Sequence, residues 1–286
     1  MNKNELKKKV SLLPGYFLLG IWLVFAVIMV GWILLASLST TREIFAGDVG
    51  KFPSGLHFEN YKKAWTTGNV AVFTGNSLLY ASASTILIIL ISAPAAYILS
   101  RYKFFTNRII KQAFVVSMSV PVILVILPLF GIVSKLGILK RTWSIRLLMI
   151  FLNTGMKIPY TVIFLLSFFK TISSSFEEAA IIDGCSKRKA FWKIVFPLAQ
   201  SGVITVSVFN FIGVWNEYFI SLVFASSTKV RPVAVGLYSM INSMKYSGDW
   251  AGLFASVILV FLPTFILYVI LSNRILEGIT QGGVKG

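Results

Sequence analysis

The chain has 286 residues, 56% of them hydrophobic and 13% charged, with a mean hydropathy of +0.81. A water-soluble domain of this length carries roughly 25% charged residues, so the composition excludes a soluble globular protein and selects the membrane class. The formal charge of +17, from 27 Lys and Arg against 10 Asp and Glu, does not point to nucleic acid, because the cations flank apolar runs, where lipid headgroups and topology account for them.

In chain order, the start MNKNELKKKV resembles a secretory leader, but the apolar run from Leu12 to Leu38 is too long for one and ends in no small-residue cleavage site. It reads as an uncleaved first span with a cytoplasmic N-terminus. A span needs about 20 apolar residues, and six segments qualify: 12–38, 77–99, 111–133, 143–169, 202–224 and 250–272. Runs of this length without strict alternation are helices, since only helices or closed barrels satisfy every backbone group in lipid. The expectation is one all-α, polytopic membrane domain over residues 1–286 with both ends on the cytoplasmic side. The cluster Lys3, Lys7, Lys8 and Lys9 carries most of that orientation. Lys135, Lys140, Arg141 and Arg146 run against it, because they fall in a loop placed outside.

The first loop, 39–76, holds a turn at Pro53, Ser54 and Gly55, followed by HFENYKKAW, which reads as a short interfacial helix. Proline and glycine interrupt three spans: Pro121, Pro128 and Gly131 in the third, Gly155 and Pro159 in the fourth, and Pro263 in the sixth. Such kinks serve either a path that opens or close packing. The single cysteine, Cys185, forbids an intrachain disulfide, and with His57 the only histidine, no metal-ligand set is expected.

Residues 171–199 form a polar island between spans four and five. Ser174 and Ser175 each precede a glutamate by three residues, Glu177 and Glu178, so either pair can build a capping box for a short helix. Glu177, Glu178 and Asp183 are expected to face water or a partner. Gly184 is placed to end that helix in the left-handed conformation. A second helix can start at Ser186, with Ala190, Phe191, Ile194 and Val195 as its apolar stripe and Lys187, Arg188, Lys189 and Lys193 in reach of headgroup phosphates. By the residues alone, this is either an amphipathic linker or a docking element.

The stretch EAAIIDGCSKRKAFWKIVFP resembles the EAA loop of permease subunits of binding-protein-dependent ABC importers, whose pattern is E-A-A, three residues, G, nine residues, I-x-L-P. Glu178, Ala179, Ala180, Gly184, Ile194 and Pro197 fit, and Phe196 replaces the usual leucine. FENYKKAW, AAYILSRYKF, WNEYFISLVF and ILEGITQGGVKG also look like carbohydrate importer permeases, closest to the six-span subunit of maltose-type systems. The resemblance implies a sugar permease of the bacterial cytoplasmic membrane that pairs with a second, homologous permease. It further implies two cytoplasmic ATPase subunits that hold ATP and Mg, and an extracytoplasmic sugar-binding protein. Glu177 to Asp183 would be a coupling helix, with Glu178 docking and Gly184 turning. Gly282, Gly283 and Gly286 would reach toward the ATPases, and RPVAVGLYSM would face the binding protein. The chain has no G-x-x-x-x-G-K-[ST], as a subunit driven by another's ATP requires.

Polar residues inside spans are costly and draw functional hypotheses. Asn153 and Lys157 lie in span four, and Asn210, Trp215, Asn216 and Glu217 in span five. Two readings stand. They are interhelical glue, including a Glu217–Lys157 pair, or they line the path, with Asn and Glu binding sugar hydroxyls and Trp215 stacking on a pyranose. The alternative to an ABC permease is a secondary transporter or channel driven by an ion gradient, disfavoured by the lack of an internal repeat and of more than one intramembrane acid. A membrane enzyme would need a convergent His, Cys or carboxylate set that the chain lacks.

Overall fold

The computed structural model describes residues 3–283, with side chains described for 12–243 and 248–272. Helices are the only regular secondary structure among them. The long ones are α1 (Lys3–Ser37), α4 (Val70–Arg101), α7 (Thr142–Thr171), α11 (Gln200–Trp215) and α14 (Trp250–Gly283). Between them lie α2 (Thr41–Ala46), α3 (Glu59–Trp65), α5 (Asn107–Ser117), α6 (Val122–Lys135), α8 (Ser175–Ile182), α9 (Lys187–Ala190), α10 (Phe196–Leu198), α12 (Phe219–Phe224) and α13 (Val233–Ser247).

Among the described residues, five helical segments are long and apolar enough to cross a membrane: Leu12–Ser37, Val70–Arg101, Thr142–Thr171, Gln200–Phe224 and Trp250–Ser272. The expected third span, 111–133, is not one straight helix. It consists of α5 and α6, bent by 91°. Pro121 is the cause: it has no N–H to give the ladder, its ring drives the preceding residue out of the helical region, and it sits extended at φ −62°, ψ 127°. Pro128, Pro159 and Pro263 lie inside helices that continue through them.

The chain packs as two compact units, Met1–Val70 with Ser239–Phe261, and Ala71–Tyr238 with Leu262–Gly286. In the first, the apolar surface of α1 is almost wholly open, as a lipid-facing helix requires. Its end is tied by Asn60, whose Nδ2 donates to the carbonyls of Ser37 (3.0 Å) and Ser39 (2.9 Å). Helix α3 occupies HFENYKKAW, the stretch expected to be a short helix. Helix α2 starts in a full capping box between Thr40 and Glu43. Glu43 also accepts from the hydroxyl of Ser54 at 2.6 Å and its N–H at 3.0 Å, so one carboxylate folds the loop back onto the helix start. These bonds, the Ser54 hydroxyl foremost, hold the Glu43 carboxyl down at about 2. The His57 ring shares hydrogen bonds with the Ser54 hydroxyl through Nε2 and with the Glu59 carboxylate through Nδ1, and the latter bond lowers the Glu59 pKa.

In the second unit, one cluster joins Ala93, Ala96 and Tyr97 of α4 to Val162, Leu165 and Phe169 of α7, to Phe191 and Val195 within the polar island and to Val206 of α11. A second cluster joins Tyr80 to Ile126, Met149, Val214 and Phe224. Helices α7 and α11 approach so closely that a Cβ on Gly202 would stand 2.5 Å from the ring of Phe168. Small residues at such crossings are how spans pack where no hydrophobic force separates helix from lipid.

Candidate functional site

The polar island begins where α7 ends at Thr171, with Ile172 extended at φ −81°, ψ 127°. The capping box expected for α8 does not form. Ser174 takes helical angles (φ −66°, ψ −20°), which keep its hydroxyl from the N–H groups ahead, and it makes no side-chain cap. Glu177 is drawn elsewhere. It faces neither water nor a partner but is buried, 8% exposed. Its Oε1 accepts from Arg101 Nε at 2.6 Å and its Oε2 from the Tyr97 hydroxyl at 2.8 Å. Arg101 Nη2 also donates to the Ile172 carbonyl at 2.7 Å, closing the ring between α4, the end of α7 and α8. Tyr97 packs on Phe191 at 4.7 Å between ring centroids.

Gly184 ends α8 at φ +82°, and the N–H of Cys185 reaches back to the Ala180 carbonyl at 2.9 Å. Ser186 caps α9 by accepting from the Lys189 N–H at 3.4 Å. The helix then widens over Phe191–Val195, where the Phe196 N–H bonds to the Phe191 carbonyl five residues back. This wide turn lies directly before Pro197, which has no N–H to continue an ordinary ladder. Ala190, Phe191 and Val195 are buried and Ile194 half-buried, as the apolar stripe requires.

The opposite face of α8 has no cover. Phe176 is 51% exposed and Ile182 85%, and Glu178, Ala179 and Asp183 are exposed beside them. Phe176, Ala179 and Ile182 follow one another at three-residue steps and so form one face. The short helix thus has its inner acid locked and an open outer apolar patch flanked by two exposed acids.

Some of the intramembrane residues are joined by side-chain contacts. Asn210 is buried and its Nδ2 donates to Thr161 Oγ1 at 2.9 Å, while Thr161 donates to the Lys157 carbonyl at 2.9 Å. The Lys157 ammonium packs beside Gly213, where a Cβ would be 3.0 Å away. Asn153 is buried, with Nδ2 donating to the Met149 carbonyl at 2.9 Å and Oδ1 without a hydrogen bond. Asn216 is exposed. Two of the readings do not match the geometry of this structure. Trp215 is 1% exposed and stacks on Phe211, so it offers no face to a sugar. Glu217 makes no pair with Lys157, because its two oxygens accept from Ile220 N–H (2.6 Å), Ser221 N–H (3.0 Å) and the Ser221 hydroxyl (2.6 Å), capping α12.

At the other end of the second unit, Asn76 Nδ2 donates to the carbonyls of Lys229 and Arg231, both at 3.0 Å, and Tyr80 donates to that of Val230 at 2.9 Å. Arg146 Nη2 reaches Asn76 Oδ1 and the Lys229 carbonyl, both at 3.2 Å. The stretch RPVAVGLYSM thereby enters α13 from a fixed start. Of the tail glycines, Gly286 lies outside the described residues, and Gly282 and Gly283 fall in the backbone of α14. The sequence alone gives Arg101 and Arg146 a part in topology only, and gives none to Tyr97 or Asn76. Their partners lie 70 or more residues away, except Tyr102 beside Tyr97. Among the described residues, no group of three or more His, Cys, Asp or Glu side chains converges as a metal site would.

Comparison with known proteins accords with this architecture. Residues 70–277 match the family described as binding-protein-dependent transport system inner membrane component. The chain is 31% identical over 268 residues to the diacetylchitobiose uptake system permease protein NgcG of Streptomyces coelicolor, covering 94% of this chain and 87% of that one. It is 32% identical to the sulfoquinovosyl glycerol transport system permease protein SmoH of Agrobacterium fabrum, over 89% of this chain and 87% of the relative. The fold is that of a chain in the crystal structure of a bacterial ABC transporter involved in alginate import, with a TM-score of 0.76 at 21% identity over 96% and 98% of the two chains. The chain belongs to the family of binding-protein-dependent transport system inner membrane components and is a membrane transport subunit.

Proposed function

We propose that this subunit, within an ATP-driven importer of the bacterial cytoplasmic membrane, forms the path for a carbohydrate together with a second, homologous permease. Relatives named for diacetylchitobiose uptake and for sulfoquinovosyl glycerol and trehalose transport support a glycosidic substrate. Energy enters through α8. Its open face, with Phe176, Ala179 and Ile182 between Glu178 and Asp183, docks in a cleft of a cytoplasmic ATPase subunit. ATP and Mg are held by two such subunits and not by this chain, and sugar is delivered by an extracytoplasmic binding protein. Both chain ends lie in the cytosol, on the side of the basic N-terminal cluster.

The observation that carries the reading is the Arg101–Glu177 bond at the base of α8. A docking helix held only by its ends would fray when pulled. This one is bound to α4 and to the end of α7, so a shift of the ATPase surface moves two spans together. In reconstituted vesicles, Glu178→Lys and Gly184→Pro should each abolish ATP-dependent uptake while the protein still inserts and pairs. Normal uptake by both variants would remove the coupling role.

A further inference from the structure

A groove of about 470 Å³ opens between the end of α4 and the start of the second island helix. Pro94 and Ile98 form one wall, and Phe191 and Trp192 the other. Lys187 and Arg188 stand at its mouth, and none of its lining residues is acidic. The Lys187 ammonium lies 5.2 Å from the centroid of the Tyr102 ring, which fixes one lip. Next to it, a shallower depression of about 270 Å³ adds Lys189 and Lys193 to the same cationic rim. The one buried acid nearby, Glu177, is engaged by Arg101 and Tyr97 and does not pair with these cations.

Beyond the groove, the apolar surface continues along α4. Leu87, Ile91, Pro94 and Ile98 recur at steps of four, three and four residues and therefore share one face. Leu87, Ile91 and Ile98 are exposed. Eleven residues of helix rise about 16 Å, close to one leaflet of a hydrocarbon core roughly 30 Å thick. An open apolar strip of that length, running into a groove lined by two cations, matches a molecule with a long tail and an anionic head. A soluble phosphate would have no use for the strip, and a cytoplasmic protein cannot reach Leu87 or Ile91 at that depth.

We propose that this groove holds one anionic phospholipid of the cytoplasmic leaflet, its phosphate between Lys187 and Arg188 and one acyl chain along Ile98, Pro94, Ile91 and Leu87. The lipid then bridges α4 to the segment that follows α8, so the composition of the leaflet tunes how firmly the island is seated.

The test uses the assembled transporter in vesicles of phosphatidylcholine, doped with either phosphatidylglycerol or phosphatidylcholine carrying a photoreactive acyl chain. Labelled peptides are mapped by mass spectrometry. The phosphatidylglycerol probe should label the Ile91–Ile98 and Phe191–Trp192 segments, and the phosphatidylcholine probe should not exceed its labelling of other spans. Lys187→Gln with Arg188→Gln should lower the labelling by roughly 25-fold, about fivefold for each cation removed. Ile98→Trp, which fills the groove and keeps both cations, should lower it as well. Should the charge variant fail to assemble, the contrast between the two probes on the unaltered protein decides. Equal labelling by both probes would reduce the site to ordinary surrounding lipid. Loss of label on adding glycerol phosphate would mean a site for soluble anions. Labelling of the isolated subunit but not of the assembly would mean that a protein partner covers the groove. Each of these three results overturns the proposal.

Discussion

Arg101 and Glu177 are 76 residues apart in the chain, yet the arginine Nε donates to Glu177 Oε1 at 2.6 Å, with the two side chains 13% and 10% exposed. A charge pair at that burial is stabilising only while both members are present, because either one alone is left desolvated and unmatched. The pair also receives the Tyr97 hydroxyl and lies against the Ile172 carbonyl contact, so it is satisfied on several sides.

Arg101→Ala or Glu177→Ala alone should therefore lower the subunit's stability by about 3–5 kcal/mol. The double change Arg101→Met with Glu177→Leu should recover most of that loss, since no charge is then stranded. Thermal unfolding in detergent reads the first effect. ATP-driven uptake should stay low even in the recovered double variant, because α8 is no longer tied by charge to α4. Uptake that returned together with stability would make the pair a packing element only.

Glu43 gives the loop 40–54 a pH dependence. Its carboxyl is held at about 2 in the folded chain against an ordinary 4.5, so its contribution is complete above 4.5 and disappears as pH falls from there toward 2. Amide exchange in residues 40–57 should rise across that window and not above it. Glu43→Gln should exchange faster at neutral pH and show little further change in acid. An exchange rate in the unaltered protein that stays flat from 4.5 to 2 would dissociate this carboxylate from the order of the loop.

Gly202 permits the close crossing of α7 and α11. Gly202→Ala puts a carbon 2.5 Å from the Phe168 ring, so the ring or the helix must move. The expected loss is about 1–3 kcal/mol. Phe168→Leu in the Gly202→Ala background should return part of it by making room. Melting temperatures of the two single variants and the double one measure the coupling, and additive losses would place the clash elsewhere.

Glu217→Ala removes three hydrogen bonds at the start of α12. Stability should fall by about 1–2 kcal/mol, the scale of a lost helix cap, and Glu217→Gln should restore only part of it, because its amide offers one acceptor oxygen where the carboxylate uses two. The half-saturating sugar concentration in uptake assays should be unchanged. A large shift in that concentration with normal stability would return Glu217 to the transport path.

The membrane class, the helical character and the placement of most spans were legible in the apolar runs, since twenty greasy residues in sequence have few other structures available. Local backbone chemistry was legible too. Gly184 ends α8 at φ +82°, and Ser186 caps α9, because each depends on its own residue and its near neighbours. Span three shows the boundary of such reasoning: Pro121 announced a break, but a kink and a 91° bend are written with the same proline.

What the sequence by itself determined was therefore whatever rests on nearest neighbours: which segments are apolar, where a missing N–H or a positive φ interrupts a helix, and which motif marks the island between spans four and five. The tertiary structure alone decided which partner each polar side chain takes. Glu177 left its capping position for Arg101 and Tyr97, Glu217 capped α12 instead of meeting Lys157, and Trp215 turned inward onto Phe211. The reason is physical: a buried polar group takes the strongest donor or acceptor that folding brings within about 3 Å, and that distance is set by helix packing across many tens of residues, which no local pattern encodes.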